Sequence, residues 1–153
     1  MGLLGRPTPR NDSRSKGERS ELLIAGALAC AGYNVLMPYG QMQRYDLVIE
    51  DANGEFWRVQ CKTAWLSKDR STLQFAGASA HYKHAYERKE LVRKHYRGDV
   101  DYFAVYSPDL QKTYLIPITD VGDTMNALRL VPTKNNQAKH VRWAAEYASE
   151  QTA

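Results

Sequence analysis

Cysteine is nearly missing from this chain: Cys30 and Cys61 are the only two in 153 residues, and no CxxC or Cys/His spacing occurs. That excludes structural zinc, and both residues are expected to be buried free thiols, as suits a reducing compartment. Histidine is sparse as well, and its four copies form no cluster, which argues against a histidine-built centre of the HNH type. No apolar stretch approaches the roughly 18 residues a membrane span requires, and the start MGLLGRPTPR holds too short an apolar run for a signal peptide. A soluble, intracellular protein of the cytoplasm is the expectation. No internal repeat is visible.

What is there supports one domain. A hydrophobic content of 43% over 153 residues gives one proper core and leaves no room for two. The net charge of +4 and a pI of about 9.1 suit a polyanionic partner and equally serve solubility. Arg6, Arg10, Arg14, Lys16 and Arg19 stand against Asp12 and Glu18 among Pro, Gly, Ser and Asn. Residues 1–15 therefore read as a flexible basic arm, either tracking phosphates or forming a plain disordered terminus, ahead of a single domain over 16–150.

Periodicity predicts a helix over 17–31, apolar almost all round from Leu22 to Ala31 and stopped by Gly32, so a buried one. Strands are expected at 33–38, 44–50 and 55–63, with Asp51-Ala52-Asn53-Gly54 as a hairpin turn whose Asn-Gly supplies the positive φ angles of the primed types. A loop follows over 64–79, then a helix over 80–97 capped by Ser79 and stopped by Gly98, with Tyr82, Ala85, Tyr86, Leu91 and Val92 interleaved among basic residues. Strands at 101–107 and 112–118, a short helix near Thr119 and a closing helix over Val141–Ser149, packed by Trp143 and Tyr147, complete the chain. Periodicity by itself gives the class, α/β.

The hairpin RYDLVIEDANGEFWRVQCKTA concentrates the chemistry. Alternation puts Trp57, Val59 and Cys61 on one face of its second strand and Arg58, Gln60 and Lys62 on the other. Asp46, Gln60 and Lys62 can then converge, although a solvated sheet face shows the same alternation. Glu21, in the first turns of the helix, is either a dipole-favoured surface group or a fourth member of the cluster. Hydrolysis of a phosphodiester needs a hard cation against the developing charge, and Mg²⁺ takes carboxylate, carbonyl and water oxygens. Glu21 and Asp46 supply charge and Gln60 an amide oxygen, while Lys62 either orients or deprotonates the attacking water or is a surface lysine. Arg44, two residues before Asp46, reaches a phosphate or pairs with a carboxylate. Thr63, Lys68, Arg70, His81, Lys83 and His84 are further candidate DNA contacts, as is Ser67 more weakly.

The order Glu21, Asp46, Gln60-Cys61-Lys62 resembles the PD-(D/E)XK nuclease superfamily, with Gln in the usual acidic place. Within it the chain is most similar to the small endonuclease family that includes a cyanobacterial group I intron homing endonuclease. The likeness rests on Lys16-Gly17 with Glu21, Pro38-Tyr39-Gly40, Arg44-Tyr45-Asp46-Leu47, Val59-Gln60-Cys61-Lys62-Thr63, Tyr102-Phe103-Ala104-Val105-Tyr106, Tyr114-Leu115-Ile116-Pro117, Asn135-Asn136-Gln137 and Arg142-Trp143. It implies a restriction-endonuclease-like core, a central mixed sheet flanked by helices. It also implies the Cys61 carbonyl as a ligand beside Glu21, Asp46 and Gln60, favours Glu21 over its helical neighbour Glu18, and implies cleavage of double-stranded DNA. Cutting both strands takes two sites, so a homo-oligomer is expected, a dimer at least and by resemblance a tetramer. Junction resolvases share such a core, and Gln60 keeps a catalytically decayed DNA-binding module in play.

Overall fold

The computed structural model describes residues 4–5, 7–85 and 88–149, with the backbone alone at 82–85 and 88–89. Among these residues the single α-helix, α1, spans Ser13–Cys30, beginning four residues earlier than periodicity suggests, because Asp12 caps it: the Asp12 carboxylate accepts the Ser15 N–H at 2.9 Å. At the far end Gly32 takes φ +101°, letting Gly32 N–H donate to Ala29 O and Tyr33 N–H to Leu28 O, both at 3.1 Å. That is a Schellman stop, which satisfies two orphan carbonyls.

Ten strands follow: β1 Asn34–Leu36, β2 Leu47–Glu50, β3 Phe56–Thr63, β4 Trp65–Leu66, β5 Thr72–Ala76, β6 Ala78–Ala85, β7 Arg88–His95, β8 Tyr102–Ser107, β9 Lys112–Pro117 and β10 Met125–Arg129. The central sheet has the order β1-β2-β3-β8-β9, with β3 and β8 parallel and every other pair antiparallel. Arg58 helps fix the parallel register. Its guanidinium grips Asp101 at 3.0 and 3.1 Å, while the Asp101 carboxylate also accepts the Arg58 N–H at 2.8 Å, just before β8 begins.

The sheet's two faces are covered differently. Ile24 and Leu28 of α1 press onto Leu47, Ile49, Val59 and Ala104, all fully buried. Each of the Ile, Leu and Val side chains among them contributes roughly 1.5–3 kcal/mol through its burial. The opposite face, carrying Phe103, Val105, Tyr114 and Ile116, is covered by Leu73, Phe75 and Leu128 of a small antiparallel sheet ordered β10-β5-β4.

Several expectations are corrected here. The stretch 64–79 is no loop, since β4 and β5 occupy it, and β10 completes their sheet where no strand was anticipated. The helix over 80–97 is replaced by β6 and β7, a two-stranded antiparallel ribbon. Ser79 caps nothing; its hydroxyl meets Arg44. A second flanking helix is therefore absent among the described residues, and a sheet covers that face. The helices near Thr119 and over Val141–Ser149 are only 3₁₀ turns, at Ile118–Asp120 and Ala144–Tyr147. Nor is α1 buried all round: Leu22 is 71% exposed and Cys30 lies on the surface, because none of the described residues covers the helix's outer side. Cys61 is half-buried against that helix. In the β2–β3 turn only Gly54 has positive φ, and the Asp51 carboxylate accepts from the Asn53 and Glu55 amides, so the turn is not of the primed type.

Candidate active site

Asp46 lies one residue before β2, where its backbone N–H donates to Val59 O at 2.9 Å and so sets the carboxylate opposite Gln60. One carboxylate oxygen receives two donors, the Cys61 N–H at 2.7 Å and the Gln60 amide nitrogen at 2.5 Å. The same amide nitrogen stands 3.4 Å from the Cys61 carbonyl oxygen. Three of the anticipated groups thus meet at one point. Gln60 is 8% exposed, and its orientation follows from alternation: Cys61 faces α1 while Gln60 and Lys62 face away from it.

Glu21 enters from α1. It shares with Asp46 a cavity of about 350 Å³ lined also by Pro38, Gly40, Gln43 and Tyr45. Burial raises its carboxyl above the ordinary value, and the charges of Asp46 and then Glu18 add to the rise. Asp46 is raised too, by burial, against the lowering effects of the Cys61 N–H, the Lys62 charge and the Gln60 amide. Two carboxyls in one cavity, both raised by burial and Glu21 also by the Asp46 charge, form a site that gains from a cation. Glu18 points elsewhere, exposed and paired with Arg14 at 3.1 Å. Burial, then Asp46 and Glu21, push the Cys61 thiol well up, so it stays neutral and offers the site only its backbone.

Lys62 sits on the outer side of the cluster. Its amine is 3.4 Å from the Tyr96 hydroxyl and 5.1 Å from the centre of that ring. Arg44 is committed to the protein on the same ring. Its guanidinium lies 4.1 Å over Tyr96, pairs with Asp99 at 3.1 Å, and donates to Ser79 Oγ at 2.9 Å and to the His95 carbonyl at 2.8 Å. Of the two readings of Arg44, the geometry is that of the carboxylate pair. Thr63 likewise faces inward, 2.7 Å from the hydroxyl of buried Ser20, which staples α1 to β3 beside Glu21. Lys68 and Arg70 are exposed on the turn joining β4 to β5, where Asp69, lowered to about 2 by the hydroxyls of Ser67 and Ser71, holds the loop. His81 is exposed on β6; the side chains of Lys83 and His84 lie outside the described residues.

The PD-(D/E)XK endonuclease family model matches residues 11–150. The chain belongs to that family. Among solved structures it is similar to the bacterial homing endonuclease I-Ssp6803I, with a TM-score of 0.70, 25% identity, and coverage of 90% of this chain and 89% of that one. No curated protein matches the sequence. For a member of the PD-(D/E)XK endonuclease family the donor set is unusual in one respect. Among the described residues no three of His, Cys, Asp and Glu gather closely enough to hold a metal. Two carboxylates, an amide and a backbone carbonyl remain, all hard oxygen donors without thiolate or imidazole, and they fit Mg²⁺ better than a softer ion. Sequence reasoning missed Tyr96, Ser20 and Asp99, whose partners lie 34, 43 and 55 residues away and leave no local signal.

Proposed function

We propose that this family member is a Mg²⁺-dependent DNA endonuclease of the homing type, acting as an oligomer on one long site. The observation that carries this reading is the meeting of Gln60, Asp46 and the Cys61 carbonyl at one point, with Glu21 in the same cavity and Lys62 next along the strand. Glu21, Asp46, the Gln60 amide oxygen and the Cys61 carbonyl would hold the cation, which when bound neutralises charge on the scissile phosphate. A half-turn of the Gln60 amide exchanges its nitrogen for its oxygen at the point facing Asp46. Lys62 donates to the phosphate oxygen or takes the proton of the attacking water. The homing character rests on the likeness to I-Ssp6803I across nine-tenths of both chains. Lys68, Arg70 and Lys83 contact phosphates, while Arg44 and Thr63 support the DNA-facing surface from behind. One chain of this size buries too little surface for a long site, so two or four copies act together.

The test is digestion of a supercoiled plasmid library with Mg²⁺ and with EDTA, sequencing of the ends, and light scattering of the DNA complex. Double-strand cuts at one extended sequence by an oligomer, abolished by EDTA, are expected. Preference for four-way junctions would make it a resolvase. Binding without cleavage would make it a decayed module, and a monomer that only nicks would remove the homing reading.

A further inference from the structure

On the β6–β7 ribbon His81, Glu90, Leu91, Arg93, Lys94 and His95 are exposed, and its sequence is basic. Residues 78–95 hold five lysines and arginines against two glutamates, where the whole chain holds 21 against 17. Such a ribbon fits the backbone of duplex DNA. What seats it is Arg44, whose fork reaches Ser79 on β6 and the carbonyls of Lys94, at 3.4 Å, and His95 on β7. Arg44 also stacks on Tyr96, one residue beyond the end of β7. Tyr96 is itself locked. It is 5% exposed, packs edge-on against Phe103 at 5.4 Å, and its carbonyl accepts the Asp99 and Val100 amides at 3.0 and 3.2 Å. The Lys62 amine is the group its hydroxyl meets.

We propose that Tyr96 is a positioning residue for Lys62, holding the amine through its hydroxyl, and that Arg44 makes this hold depend on the seat of the DNA-gripping ribbon. Chemistry and DNA grip then share one joint. An amine left free on a four-carbon stem samples many rotamers, whereas one tethered at its tip is already placed for a phosphate oxygen. A neutral hydroxyl holds the amine without giving it a counter-charge that would compete with the substrate. The inference rests on the reading of Lys62 as a group acting at the phosphate.

Tyr96→Phe keeps the ring and removes only the hydroxyl. It should lower single-turnover cleavage about five- to tenfold while DNA affinity stays within about twofold. Arg44→Lys, which keeps charge and loses the fork, should lower cleavage at least as much. Lys62→Ala run in parallel separates the two failures. If it is inactive and Tyr96→Phe cleaves at the wild-type rate, the positioning role is overturned and the site reading stands. Normal cleavage by Lys62→Ala would overturn both. Loss of DNA affinity by Tyr96→Phe as large as its loss of rate would reduce Tyr96 to a structural residue. NMR of the wild-type protein gives a readout that needs no variant to fold: the Lys62 ε-methylene protons should show NOE cross-peaks to the Tyr96 ring protons beside its hydroxyl. Absence of those cross-peaks would overturn the proposal.

Discussion

The β2–β3 and β6–β7 hairpins are both antiparallel pairs in one small chain, yet among the described side chains only the first is embedded. On β2–β3, Leu47, Ile49 and Val59 are fully buried under α1, and the polar side chains of β3 find defined partners: Arg58 on Asp101, Gln60 on Asp46, Lys62 on Tyr96. On β6–β7, Leu91 is 43% exposed and Arg93, Lys94 and His95 face water. The contrast separates two ways of using a strand pair. A hairpin sandwiched in the core can hold catalytic groups to a fraction of an ångström, because packing fixes the backbone beneath them. A hairpin whose described side chains face water can offer charge to a partner.

The sharpest way to break this contrast is to exchange the phenotypes. Lys62→Ala or Asp46→Asn should lower cleavage by about a thousandfold or more while DNA binding stays nearly unchanged, since each removes a group proposed to act at the phosphate rather than one that grips the helix. Gel-shift affinities and single-turnover rates on the same duplex decide it, and substantial turnover by either variant would move the active site elsewhere.

A smaller effect concerns stability. Leu47→Ala leaves a cavity under α1 and should cost about 2–5 kcal/mol, whereas Leu91→Ala should fall within about 0.5 kcal/mol. Urea denaturation of the two variants side by side measures the difference. Equal costs would mean that the ribbon has a packed face after all.

The same contrast explains what could be read from residues alone. Strands β2, β3, β8 and β9 and the start of the polar cluster were legible because burial of at least one face imposes a hydrophobic pattern, as at Leu47/Ile49 and Val59/Cys61. Over 78–95 the described side chains are mostly exposed, so little in the sequence enforced a period of two. Tyr82, Leu91 and Val92 among lysines and arginines match helical spacing equally well, and the stop at Gly98, which takes φ +82°, serves a turn as readily as a helix end. The region β4, β5 and β10 was hidden for another reason: β10 pairs with β5 across some fifty residues, Arg129 against Thr72, and only the folded chain brings them together. At the site, Asp46, Gln60 and Glu21 gather as anticipated, but the Tyr96 and Arg44 joint depends on where the ribbon returns to the body.

On the ribbon, Arg93→Ala with Lys94→Ala should weaken DNA binding about tenfold near 100 mM salt and flatten the dependence of log Kd on log salt by about two units. Arg44 is bonded to the Lys94 carbonyl, which both substitutions leave in place. Cleavage by the fully bound variant should therefore match wild type. An unaltered salt slope would show that the ribbon does not touch phosphates.

The smallest expected effect is thermodynamic, and it belongs to the embedded hairpin alone. Burial raises the Asp46 carboxyl above its ordinary 3.8, and burial with the neighbouring Asp46 charge raises Glu21 above 4.5. A carboxyl raised in the folded state contributes stability that is fully present below its unfolded value and is lost as pH rises through the folded one. Neutral pH without divalent cation is thus where the site weighs against the fold. Asp46→Asn removes that charge and relieves Glu21, while its side-chain oxygen can still accept the Cys61 N–H. The variant should melt slightly above wild type at pH 7.5 in EDTA, and the gap should close as pH falls toward 4. Millimolar Mg²⁺ should then raise the wild-type melting temperature and leave that of the variant nearly still, because only a protein that binds the ion gains from it. Melting of Asp46→Asn below wild type at pH 7.5 would show that the hydrogen bonds from Cys61 and Gln60 outweigh burial, and that the carboxylate is held for the fold rather than for a cation.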